Sequence, residues 1–249
     1  MKTKKITVAG MLVQECIYSR AGGRESAKVR AEKRKTSSEA QQRMNAKHSW
    51  QKLELMLAAN FVPGDLVVTL TYDDDHLPAS RSAANARLKI FRRMLKDLRE
   101  ARGQEMVMIW TTENKSDNGR WHHHCVINAT GEDYAEIQRL WIWGSSIEIK
   151  PLKVWRDKNY ESLARYMCKE ARERPCLRTW SYTRNARHPE TETFPVPDDT
   201  EIRTPEDVTV LREETIRTEY ACLHFLKYLA ADPQELRGRR VHARRRRRR

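Results

Sequence analysis

Long apolar runs are missing from this chain. No stretch of about 18 apolar residues occurs, so a helical membrane span is not expected. The apolar stretch behind the basic start Met1-Lys2-Thr3-Lys4-Lys5 is broken by Gly10, Gln14 and Glu15, which argues against a secretory signal. Cysteine is sparse: five residues, at 16, 125, 168, 176 and 222, with no Cys-x-x-Cys pair. Neither a disulfide framework nor a structural zinc site is expected, and the thiols read as reduced, as in a cytosolic protein. There is no internal repeat, and no Gly-x-x-x-x-Gly-Lys-Ser/Thr loop, so no ATP-driven motor is expected. Acidic residues run short of basic ones, 34 against 48, for a net charge of +14. Six of those charges are Arg244–Arg249, which leaves +8 elsewhere. A body that is basic without its tail favours a polyanionic partner, nucleic acid first. The alternative is a solubilising tail on a neutral enzyme.

The 249 residues suffice for one large domain or two small ones, and a mean hydropathy of −0.82 marks a polar, soluble chain. Residues 5–18 offer a strand or two, and 24–60 read as a basic helical lead-in that gains an apolar stripe at Leu53, Leu55, Met56 and Leu57. Residues 66–72 are β-branched, apolar and preceded by Pro63-Gly64-Asp65, hence a strand. Leu88, Phe91, Leu95 and Leu98 give 82–102 an amphipathic helix whose outer face carries Arg87, Lys89, Arg92, Arg93, Lys96 and Arg99. Strands at 106–112 and 122–128 follow, then a short helix through Ile137, Leu140 and Trp141 that Gly144 stops, and a strand at 146–150. Asp157 or Asn159 caps a last helix running to about 173. From residue 66 this is the split βαβ order: an α+β, ferredoxin-like antiparallel sheet with helices on one face, and helical N- and C-terminal extensions. The expected division is 1–60, a lead-in packed on the core; 61–190, the core; 191–235, a proline-rich linker and a C-terminal helix spanning 206–231; and 236–249, a disordered Arg-rich tail.

The densest chemistry lies at Gly119-Arg120-Trp121-His122-His123-His124-Cys125-Val126-Ile127. In a strand, side chains alternate faces, so His122 and His124 point one way and His123 the other. Asn114 to Gly119 reads as a hairpin turn that brings Glu113 back beside the two histidines. Two nitrogens and a carboxylate form a candidate metal set; the alternative is surface decoration or a satisfied core histidine. Tyr166 and Lys169, three apart on the last helix, share a face. A neighbouring ammonium favours the phenolate, and a metal polarises a phosphate, so this set suits attack on a phosphodiester. The alternative is a tyrosine packed on the sheet and a solvated lysine. Tyr160 is the other candidate nucleophile, rotated well away on the same helix.

In order along the chain, Thr69 to Tyr72, then Glu113 with Gly-Arg-x-His-x-His, then Tyr166 to Lys169, followed by Glu170 and Trp180 to Asn185, resemble the HUH endonucleases. The likeness is to the rolling-circle replication initiators of plasmids and small single-stranded DNA phages, and covers about residues 60–190. The family carries a hydrophobic residue between the two histidines; His123 stands there instead. The resemblance implies that Glu113, His122 and His124 hold Mg²⁺ or Mn²⁺ and that Tyr166 attacks the scissile phosphate. A 5′-phosphotyrosine and a free 3′-hydroxyl would result. It implies an origin hairpin or other single-stranded DNA as substrate, host polymerase and helicase as partners, and the cytoplasm of a bacterial host. Thr71, Arg120, Trp180 and Arg184 are the expected DNA contacts; Trp121 either stacks on bases or packs in the core. The rival readings are a single-tyrosine transposase or mobilisation relaxase of that superfamily, and a non-catalytic nucleic-acid-binding module.

Overall fold

The computed structural model describes residues 2–19, 39–114, 120–153, 159–169, 179–217 and 222–230. The turn at 115–119 with Gly119, the Asp157 cap, Glu170 and the arginine tail lie outside the described residues. The elements run β1 (Lys2–Ala9), β2 (Leu12–Tyr18), α1 (Glu39–Asn60), β3 (Leu66–Thr71), α2 (Arg81–Glu100), β4 (Met108–Asn114), β5 (Trp121–Ile127), α3 (Asp133–Leu140), β6 (Ile147–Pro151), α4 (Asn159–Met167), β7 (Trp180–Tyr182), β8 (Glu190–Val196), β9 (Val208–Arg217) and β10 (Cys222–Ala230). None of these helices is long and apolar enough to cross a membrane.

The chain divides into two compact units, one of which is Glu39–Trp155 with Asn159–Arg187. Its sheet is ordered β6-β3-β5-β4-β7 and antiparallel throughout. The strand-helix-strand-strand-helix-strand order from β3 to β6 is the one the sequence predicts. Helix α2 begins at Ser80, whose hydroxyl accepts the Ala83 N–H, and buries Ala84, Leu88, Phe91 and Leu95. That stripe packs with Val68, Leu70, Tyr72, Cys125, Ile137 and Trp141 on one face of the sheet. Trp121 belongs to this core, so it is a packing residue. The predicted outer face of α2 needs a correction at Arg99, which is fully buried against Asp133 at 2.5 Å. A buried carboxylate on α3 draws the guanidinium inward, where helical spacing alone reads it as a surface charge. Helices α1 and α4 lie together over the opposite face: Ser49 of α1 accepts from the Trp180 indole N–H at 3.2 Å, and Tyr166 of α4 meets His124. Helix α4 ends at Met167, short of the predicted residue 173.

Gly144 is better explained by contact than by helix termination. A Cβ there would fall well inside van der Waals distance of the Thr71 carbonyl oxygen, a backbone atom that cannot swing aside. Gly144→Ala is expected to destabilise the protein by about 1–3 kcal/mol, the usual cost of overpacking, read as a lowered Tm by calorimetry.

The other unit contains β1 and β2 together with β8, β9 and β10, in a sheet ordered β8-β1-β2-β10-β9. Ile6, Val13, Ile17, Val196, Leu226 and Tyr228 form its core. Residues 1–60 are therefore not one lead-in: β1 and β2 belong to this unit and α1 to the other. Part of the predicted linker is strand β8, paired with β1. The predicted C-terminal helix at 206–231 is corrected to β9 and β10, which pair with each other and, through β10, with β2. Val208, Thr209, Val210, Thr215 and Ile216 are β-branched and suit a pleated surface better than a helix.

Candidate active site

Register does the assembling. His122 stands opposite Glu113 on β4 and Thr71 on β3; His124 stands opposite Thr111 and Thr69. Because alternate residues share a face, all six belong to the face that α4 covers. His123 points to the other side, where the Tyr72 hydroxyl lies 2.7 Å from its Nε2 and the Thr112 hydroxyl 2.9 Å from its Nδ1. Thr112 donates to Asn85 at 2.7 Å, so it accepts from His123 Nδ1–H, and Tyr72 donates to Nε2. Burial first, then the neighbouring histidines, push the His123 pKa down to about 3. His123 is a neutral, satisfied core histidine.

On the covered face, His124 Nε2 donates to Glu113 Oε1 at 2.6 Å, and the Thr69 hydroxyl sits 3.2 Å from His124 Nδ1. A hydroxyl both donates and accepts, so Thr69 serves either tautomer of that ring. The Lys169 ammonium lies 2.7 Å from the same Glu113 oxygen and 4.3 Å from the centre of the Tyr166 ring. The Tyr166 hydroxyl is 3.3 Å from His124 Nε2, with the two rings edge to face at 4.8 Å. Burial pushes the Glu113 carboxyl up, but the hydrogen bonds from His124 and Lys169 outweigh it and leave the group below the usual carboxylate range. Lys169 is pulled down by burial and raised more strongly by Glu113, so it stays an ammonium. Lys169 follows α4 in a turn, its N–H bonded to the Tyr166 carbonyl at 3.2 Å.

Glu113, His124, Tyr166 and Lys169 are thus brought together. Tyr166 is 47% exposed, open to a large substrate. Tyr160 is buried, donates to the Phe61 carbonyl at 2.6 Å and is pushed up to about 12 by burial, which suits a packing residue and not a nucleophile. Among the described residues no three His, Cys, Asp or Glu side chains are gathered closely enough to hold a metal; Glu113 Oε1 is instead shared by an imidazole and an ammonium. Glu113 Oε2 is buried with no hydrogen-bond partner, an acceptor position that a cation would satisfy.

The expected DNA contacts are dispersed. The Thr71 hydroxyl donates to the Ser146 carbonyl, and its own carbonyl accepts from the Trp141 indole. Arg120 pairs with Asp74 and donates to the Tyr72 carbonyl. Trp180, opposite Thr111, is half-buried on the covered face. Arg184 lines a groove with Lys89, Arg93 and Lys96 of α2, away from Tyr166. Thr69 was not singled out for this site by the sequence; period-two spacing from Thr71 marks its face, but only strand register reveals that it meets His124.

Residues 65–173 match the family model for the replication-associated proteins of the ORF2 type. That segment, under half of the chain, contains Glu113, the three histidines, Tyr166 and Lys169. The match supports a replication-initiator role. No curated protein and no solved structure matches the chain.

Proposed function

We propose that this protein is a metal-dependent, HUH-type endonuclease and strand transferase that opens a replication origin in single-stranded form, with Tyr166 as nucleophile. The observation that carries this reading is the placement of an exposed phenol 3.3 Å from His124, beside an ammonium that is itself anchored to Glu113. Tyr166 Oη attacks the scissile phosphorus; the new P–O bond forms as the bond to the 3′-oxygen breaks. The phenol proton passes to water and the departing 3′-oxygen takes one up. The phosphodiester becomes a 5′-phosphotyrosine, so its bond energy is retained and the 3′-hydroxyl can later reverse the step without ATP. Lys169 stabilises the phenolate and the phosphate charge.

The buried, partnerless Glu113 Oε2, with imidazole nitrogens on the same face, suits a hard or borderline divalent cation such as Mg²⁺ or Mn²⁺. Glu113, His122 and His124 would hold it. When bound, such an ion polarises the scissile phosphate. Host polymerase would extend the freed 3′-hydroxyl and host helicase would unwind the duplex, in the cytoplasm of a bacterial host.

The test is to incubate the protein with labelled single-stranded DNA from its own replicon, with Mn²⁺ or with chelator, and resolve the products on a denaturing gel. A covalent protein–DNA band that requires the metal is expected. Tight binding with no covalent band would instead establish a non-catalytic binding module.

A further inference from the structure

Beside Tyr166 a groove of about 530 Å³ opens between the edge strand β6 and helix α4. Val67, Leu152 and Leu163 line it with apolar surface, and the exposed Lys150, Lys153 and Ser162 stand around them. Tyr166 itself closes one end. Its volume falls in the range of about 300–1,000 Å³ in which small molecules are held. No carboxylate lines it. Lys150 pairs with Glu148 at 2.5 Å, but both are well exposed, and an exposed pair of this kind is weak enough for a phosphate to displace. An apolar slot flanked by two ammonium groups matches one chemistry well: a flat, apolar-faced ring joined to phosphate on either side.

We infer that this groove is a nucleobase slot, holding the base of a nucleotide that flanks the scissile phosphate while Lys150 and Lys153 take the neighbouring phosphates. The geometry follows from Tyr166. A phosphate within reach of its hydroxyl has a nucleotide on each side, and the groove begins at that ring. The slot thereby sets how far the strand can slide past the nucleophile. It would make cutting depend on the presence of a base at one flanking position. This assignment rests on Tyr166 as the attacking group.

The experiment separates the two ideas by reading binding and bond formation independently. Binding of a short oligothymidylate and of the same oligomer with all bases removed is measured by fluorescence anisotropy, for the full chain and for Ser162→Trp, which fills the slot from its exposed rim. The intact oligomer is expected to bind about tenfold more tightly than the abasic one, the scale of stacking one base. Ser162→Trp should remove most of that preference. Lys153→Ala should weaken both oligomers alike and flatten the salt dependence. An equal preference in the full chain and in Ser162→Trp would overturn the slot, as would no preference in the full chain. The covalent band is read in parallel. If it forms without any dependence on the flanking base, the slot fails and the nucleophile stands; if base preference responds to Ser162→Trp but no band ever forms, the slot stands and the nucleophile fails.

Discussion

Tyr166→Phe is expected to lower covalent adduct formation by about a thousandfold or more, the scale on which removal of a covalent nucleophile falls. DNA binding should stay within about twofold, since the ring, its contact with His124 and the overlying Lys169 ammonium all survive loss of one oxygen. Tyr160→Phe makes the contrast. It deletes a buried hydrogen bond to the Phe61 carbonyl, so it should cost about 0.5–1.5 kcal/mol of stability and leave adduct formation near normal. Quantifying the covalent band for both variants against binding by anisotropy checks the pair. An adduct that persists in Tyr166→Phe and vanishes in Tyr160→Phe would exchange their roles.

Asp133→Ala is expected to destabilise the fold by about 3–5 kcal/mol, because it strands a buried guanidinium. Arg99 has no exposed side-chain surface and reaches Asp133 at 2.5 Å and Asn128 at 2.9 Å. Asp133 also accepts from the Thr130 N–H at 2.7 Å, the Thr130 hydroxyl at 2.8 Å and the Gly131 N–H at 3.1 Å. Burial alone would raise the Asp133 carboxyl; the Thr130 bonds, Arg99 and Gly131 together hold it below its ordinary value of 3.8. A carboxyl with a depressed folded-state pKa contributes stability that is fully present above the unfolded value and lost as pH falls through the folded one. The gap between the parent protein and Asp133→Ala should therefore be constant near neutrality and close below about pH 4. Urea midpoints at pH 7 and pH 3, with unchanged slopes, measure it. Arg99→Met placed in the Asp133→Ala background should recover part of the loss, since it removes the orphaned charge.

Local periodicity carried the sequence analysis far where neighbours in the chain are neighbours in space. The β4–β5 hairpin joins residues close in sequence, so alternation alone separated His122 and His124 from His123. The same logic failed at 206–231. Val210, Leu211, Ile216, Leu223, Leu226 and Leu229 fit helical spacing about as well as two strands. What decides between them is pairing with β2, as in His224 opposite Ile17, a partner far away in the chain. Arg99 failed for a related reason: its carboxylate comes from another helix. Lys169 was placed correctly beside Tyr166, but its bond to Glu113 depends on how α4 lies across β4, which no spacing encodes.

The two units also differ in how much of the chain each must wait for. Every described element of the unit bearing Tyr166 lies between residues 39 and 187. The other sheet takes β1 and β2 from the first 18 residues and β8, β9 and β10 from residues 190–230. During synthesis from the N-terminus, β1 and β2 emerge first, yet as a lone pair of strands they form a hairpin of marginal stability with both edges open. The unit bearing Tyr166 is complete before the strands that close those edges have been made, so it can fold while the earliest part of the chain is still unfinished.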